Sequence, residues 1–197
     1  MAIFKPEVKS TSGGYLGCIE VGIIGFSDKS ADFDWADVFI EVELSVKNSE
    51  YSRKMAILGR LDKDSSGNIT GGSVLNRLYR FFEAVGCNAG LNLKSEWEDE
   101  HGNIIEDIAA YLNERYTTNT ENYTAYAYKK KPKPGKKVYT EVYPRLYPLG
   151  EEAKKQCMDD MAWLKSRGVI KEADASDMPQ ENDHNMAESA LNNLWNM

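Results

Sequence analysis

The stretch Val38-Phe39-Ile40-Glu41-Val42-Glu43-Leu44-Ser45-Val46 sets Val38, Ile40, Val42, Leu44 and Val46 against Phe39, Glu41, Glu43, Ser45 and the following Lys47. This is the clearest period-two pattern in the chain and predicts a β-strand with one face on a core and the other solvated. Upstream, Tyr15 to Phe26 supplies the strand formers Leu16, Cys18, Ile19, Val21, Ile23 and Ile24, while Gly17, Gly22 and Gly25 are expected to weaken or bulge it. Asp28 to Asp34 forms a polar turn between the two. Downstream, Asn48-Ser49-Glu50 turns the chain into a third strand, Tyr51 to Leu61, carrying Met55, Ile57 and Leu61. The result is a three-strand meander.

After a polar loop, Asp62 to Gly72, Ser73 is placed as the N-cap of a helix. Its apolar positions Val74, Leu75, Leu78, Phe81, Phe82 and Val85 make one stripe, and Gly86 ends it in a left-handed cap. Residues 87–120 read as an insertion with an acidic run Glu96 to Glu100, a turn at His101-Gly102-Asn103 and a short helix from Ile104 to Arg115. Tyr123 to Lys130 and Lys137 to Leu146 alternate again around Lys131-Pro132-Lys133-Pro134-Gly135, which is turn chemistry for a hairpin tip, and Pro144 and Pro148 end the second strand. A last helix spans about 150–167 with Ala153, Cys157, Met161 and Leu164 on one face and Gly168 as its stop.

Composition divides the chain into a domain, 1–171, and an acidic tail, 172–197, expected to be flexible. The domain opens with a lead-in ending in Ser12-Gly13-Gly14. The tail holds six acids and no Lys or Arg, so the formal net charge of -7 leaves the domain close to neutral. Between Lys129 and Arg145, seven cations face Glu141 alone. The tail closes on Met186, Ala187, Ala190, Leu191, Leu194 and Trp195, spaced for one short amphipathic helix. Cys18, Cys87 and Cys157 lack the paired spacing of a zinc or redox motif and read as buried apolar residues in a reducing compartment. Met1 to Ser10 carries no leader-like apolar run, and no stretch approaches the ~20 apolar residues of a bilayer span, so a cytoplasmic location is expected and no membrane partner.

The element order is three strands, a helix, an insertion, two strands, a helix and a tail, which gives a mainly β, α+β class. In this order the chain resembles phage-encoded single-stranded-DNA-binding proteins, which pair an OB-fold with an acidic C-terminal tail. The resemblance is carried by Val38–Val46, Ser73–Val85, the hairpin Tyr123–Leu146 and the tail from Glu172. It implies a five-stranded antiparallel barrel with its helix between strands 3 and 4, and sequence-independent binding of single-stranded DNA in replication or recombination. It also implies the host-cell cytoplasm and a tail that recruits replication or recombination proteins. The long insertion and the ending Leu194-Trp195-Asn196-Met197 depart from the family pattern.

The residues assigned to DNA are Tyr126 and Tyr128 on one strand, Tyr139 and Tyr143 on the next, and Lys129, Lys130, Lys131, Lys133, Lys136, Lys137 and Arg145 around the tip. Rings would stack on bases and cations would track phosphates. The opposing reading makes the tyrosines core and the lysines a solubilising edge. Glu181, Asp183, Glu188, Leu191, Leu194 and Trp195 are assigned to a protein partner; the tail is also expected to compete with DNA for the basic groove.

Other chemistry is thin, and no catalytic, metal or cofactor site is assigned. His101 and His184 are too few for a triad or a multi-His metal site. Asp62 to Gly67 imitates the start of a calcium loop, but its twelfth position is Ser73, which favours a plain turn. Glu96, Glu98, Asp99, Glu100, Glu106 and Asp107 suit a magnesium nuclease or, more simply, a solvated face. Trp35 and Trp97, both flanked by acids, read equally as rim aromatics or core anchors. A non-enzymatic interaction or assembly module is the main competitor of DNA binding, and a homo-oligomer is compatible with every reading.

Overall fold

The computed structural model describes residues 16–118, 120–174 and 176–177. Three long strands open it: β1 (Gly17–Asp28), β2 (Val38–Val46) and β3 (Arg53–Gly59). The short hairpin β4 (Asp62–Lys63) and β5 (Ile69–Gly71) leads into α1 (Ser73–Val85). A second small hairpin, β6 (Gly90–Leu91) and β7 (Trp97–Glu98), precedes α2 (Ile108–Tyr116). Then come β8 (Tyr123–Lys130), β9 (Tyr139–Val142), β10 (Tyr147–Pro148) and α3 (Glu151–Ser166). The class is mixed α+β with a mostly antiparallel sheet and three helices.

The main sheet runs β10-β8-β1-β2-β3, with β9 on the same edge of β8 as β10. β1 is shared: Gly17–Val21 pairs with β8 and Val21–Asp28 with β2. The alternation of β2 is borne out residue by residue, because its five aliphatics are buried. Its other face is half-covered and not fully solvated. The inner faces of β1, β2, β3 and β8 close on Val74, Leu78, Phe81 and Phe82 of α1 and on Ile108 and Leu112 of α2.

Glycine shapes β1 at two points. The register slips between Ile23 and Gly25, which leaves Ile24 exposed. At Gly22 a Cβ would lie 2.5 Å from the Thr120 carbonyl, so the missing side chain lets Thr118 and Thr120 approach the strand. There Thr118 N donates to Ile23 O at 2.6 Å and Asn122 N to Val21 O at 3.1 Å.

Two expectations are corrected. Ser73 is the first helical residue of α1 and not its cap; Gly72, at φ 136, takes that position with no side-chain bond. Gly86 does close the helix in the left-handed region, at φ 71. The segment 87–120 carries small elements of its own and also feeds the main core through Cys87, Ala89, Ile108 and Leu112, while Asn113 bonds both N and O of Phe26. The helix in this segment starts at Ile108, capped by Asp107 through Ala110 N, and not at Ile104.

α3 lies on the outer face of β8. Cys157, Met161 and Ile170 pack there against Tyr126, Tyr128 and Tyr147 in a second core. β8 is therefore covered on both faces, with Ala125 and Ala127 turned to the main core and the tyrosines to α3. Among the described residues no helix is long and apolar enough to cross a membrane.

Candidate nucleic-acid interface

The structure separates the assigned residues into three groups. Tyr126 and Tyr128 are each 6 % exposed, with their rings stacked on one another at 6.2 Å under α3. Tyr126 Oη receives a bond from Lys165 Nζ at 2.6 Å and donates to Glu172 Oε1 at 3.1 Å. Burial, followed by interaction with Glu141, holds the Tyr128 hydroxyl well above the ordinary phenol range. Arg145 pairs with Asp160 of α3 at 2.6 Å and lies over the Tyr147 ring. These two tyrosines and this arginine fasten α3, and a ring sealed between strand and helix offers no face to a base. Tyr143 is half-buried against the same core.

The second group is exposed and basic. Tyr139 is 52 % exposed with Lys130 Nζ near its ring. Lys133, Lys136 and Lys137 stand exposed at the tip, and among the described residues no ion pair engages them or the half-buried Lys129. The tip is tightened by Lys136 N donating to Lys133 O, with Gly135 at φ 76. Lys130 pairs with Glu141.

The third group is the root of the acidic segment, which docks on the hairpin. Lys131 N donates to Lys171 O and Ala173 N to Lys129 O, both at 2.8 Å, and Glu172 bridges Lys130. β9 holds the opposite edge at 129–130, so this segment continues the edge that β1 leaves at Ala127. Asp174 and Asp177 pair with Lys131 at 3.1 and 3.4 Å, and Glu172 with Lys165 at 2.9 Å. Bonds from Ser176 and then Lys131 hold the Asp174 carboxyl low, at about 2. Glu172, assigned to the tail, is thus part of the folded edge, whereas Glu181, Asp183, Glu188, Leu191, Leu194 and Trp195 lie outside the described residues.

A surface that the sequence reading left undecided lies on the loop between β1 and β2. Phe33, 37 % exposed, stacks on Phe39 at 5.1 Å, and Trp35, 48 % exposed, lies 5.5 Å from Phe33 and 6.2 Å from Phe39. Arg60 braces the loop by donating to the carbonyls of Trp35 and Asp34. Asp28 and Asp37 serve the loop itself, through Ser30 and through Leu61 N with Lys63, while Asp32 and Asp34 are exposed beside the rings. Phe39 occupies an outward position of β2, so the signal in the sequence was an aromatic where the alternation otherwise places Glu or Ser.

In the two acidic loops that imitate metal sites, Asp64 and Asp99 serve turns. Asp64 accepts from Ser66 N and Asn68 N, and Asp99 from His101 N and Asn103 N. Among the described residues no group of three or more His, Cys, Asp or Glu is gathered in a way that could hold an ion. Set against family models, curated proteins and solved structures, the chain matches none of them.

Proposed function

We propose that this protein binds single-stranded DNA without regard to sequence, as a non-catalytic factor of phage replication or recombination, on a surface joining the β1–β2 loop to the β8–β9 tip. The reading is supported by the strand order β3-β2-β1-β8-β9 with α1 between β3 and β8, and by the approach of β9 to β3. That is the order of an OB-type barrel, in which the face of strands 2 and 3 and the loops after the first and fourth strands take oligonucleotides. The observation that carries the proposal is the chemistry at those two loops: Phe33 and Trp35 grouped with Phe39 of β2 at one and exposed lysines at the other. Rings stack on any base, and lysines follow phosphates without reading sequence.

The acidic segment supplies a regulator in this scheme. Asp174 and Asp177 hold Lys131, so an entering phosphate competes with them, and the freed tail would then be available to replication or recombination proteins.

Anisotropy titration of a labelled oligo-dT at two salt concentrations, with a duplex control, tests the proposal. Expected is salt-sensitive binding to the single strand, weakened roughly tenfold by Trp35→Ala. Replacing Lys133, Lys136 and Lys137 by Gln should flatten the salt slope by about 2, at about 0.7 per phosphate contact. Absence of binding at low salt, in the full chain and in a chain ending at Lys171, would overturn it. A second reading, a protein-interaction module, is favoured by an apolar groove of about 540 Å³ lined by Leu75, Leu78, Phe82, Ala89, Leu91 and Trp97, which DNA would leave unused.

A further inference from the structure

The sequence reading took the three cysteines as isolated; the fold brings two of them together. Cys18 lies on β1 and Cys157 on α3, 139 residues apart, with their sulfurs 3.2 Å from each other. Cys157 is fully buried in the second core, whereas Cys18 is half-buried and lines a small cleft with Leu149, Glu151 and Lys154. Cys87 is buried elsewhere, in the main core. A disulfide bond is about 2.05 Å long, so closing this pair needs an approach of about 1 Å, within the reach of small side-chain rotations.

We propose that Cys18 and Cys157 form a reversible disulfide that ties β1 to α3 when the protein meets peroxide. The accessible partner reacts first. The Cys18 thiolate attacks one peroxide oxygen, the O–O bond breaks, and Cys18 becomes a sulfenic acid with hydroxide as leaving group. The Cys157 sulfur then attacks the Cys18 sulfur; the S–O bond breaks, an S–S bond forms, and the Cys157 proton leaves with the hydroxyl as water. Two thiols are oxidised by two electrons and one hydrogen peroxide is reduced to two waters. Burial raises the Cys157 thiol above its ordinary range, as does its hydrogen bond with Cys18, which slows its attack as a nucleophile. In a glutathione-buffered compartment the pair rests as the dithiol.

The cross-link would clamp the helix that roofs Tyr126 and Tyr128 and carries Lys165, and it is independent of any DNA activity. The test treats the full chain with hydrogen peroxide at substoichiometric and excess ratios, followed by thiol titration, intact mass and peptide mapping without reductant. Expected are a fall from three free thiols to one, a mass lower by about 2 Da, and a linked peptide pair containing Cys18 and Cys157. The melting temperature should rise by roughly 10 °C and return on adding dithiothreitol. Cys87→Ala should form the same linked pair, its two thiols falling to none, and Cys18→Ser, with two thiols left, should give no linked pair. Masses higher by one or two oxygens with no linked peptide, a pair involving Cys87, or a covalent dimer would each overturn the proposal.

Discussion

At Trp35 and Tyr126 the same residue chemistry has opposite fates, and the difference is what covers the ring. Trp35→Ala removes an exposed face and should lower oligonucleotide affinity while leaving the urea midpoint nearly unchanged. Tyr126→Phe should do the reverse: it strips the hydroxyl from Lys165 and Glu172 and should lower stability by about 1–2 kcal/mol with affinity held. Equal losses of affinity in both variants would show that the DNA path runs beneath α3. Gly22 is a third residue with a sharp expectation. A methyl group there meets the Thr120 carbonyl and the Ser45 hydroxyl, so Gly22→Ala should destabilise by about 1–3 kcal/mol, read from urea unfolding. The sequence flagged this glycine as a weak point in a strand; the reason, a second segment crossing it, depends on residues almost a hundred positions away and has no local signal.

Elements were legible in proportion to how completely their own pattern fixes them. β2 and α1 carry unbroken periodicities of two and of about 3.6, and both lie where those patterns placed them. β8 carries an equally good pattern, yet alternation says only that two faces differ. It does not say that α3 covers the tyrosine side, and for that reason Tyr126, Tyr128 and Arg145 were read as a binding surface. The core residues of segment 87–120, Cys87, Ala89, Ile108 and Leu112, were illegible for a related reason, being too dispersed to form a stripe. At this scale the root of the acidic segment makes a prediction. Deleting residues 172–197 frees Lys131 and should tighten single-strand binding several-fold; Asp174→Asn with Asp177→Asn should give part of the same gain. Unchanged or weaker binding in anisotropy would remove the competition idea. Because the Asp174 carboxyl is depressed to about 2, this contact is present above the ordinary Asp range near 3.8 and is lost only as pH falls toward 2.

For the whole molecule, burial of tyrosine sets an alkaline limit. Tyr116, Tyr123, Tyr126, Tyr128 and Tyr147 all have hydroxyls raised above 10, with desolvation the first cause in each. A raised phenol contributes stability that is complete below pH 10 and is lost as pH climbs above it. Absorbance titration at the tyrosinate band should therefore show these five ionising late and together with loss of near-ultraviolet dichroism. Five rings titrating independently near pH 10 in a folded chain would contradict the packing of both cores. The two-sided burial of β8 has one more consequence, which concerns the order in which the chain is made. β1 leaves the ribosome about a hundred residues ahead of its partner, so one of its edges stays open until Tyr123–Ala127 arrives, and the outer face of β8 waits again for α3. The nascent protein carries an unpaired strand edge for about a hundred residues of synthesis, so this sheet closes only when β8 and then α3 emerge, and a chain halted near residue 150 should aggregate where the finished one does not.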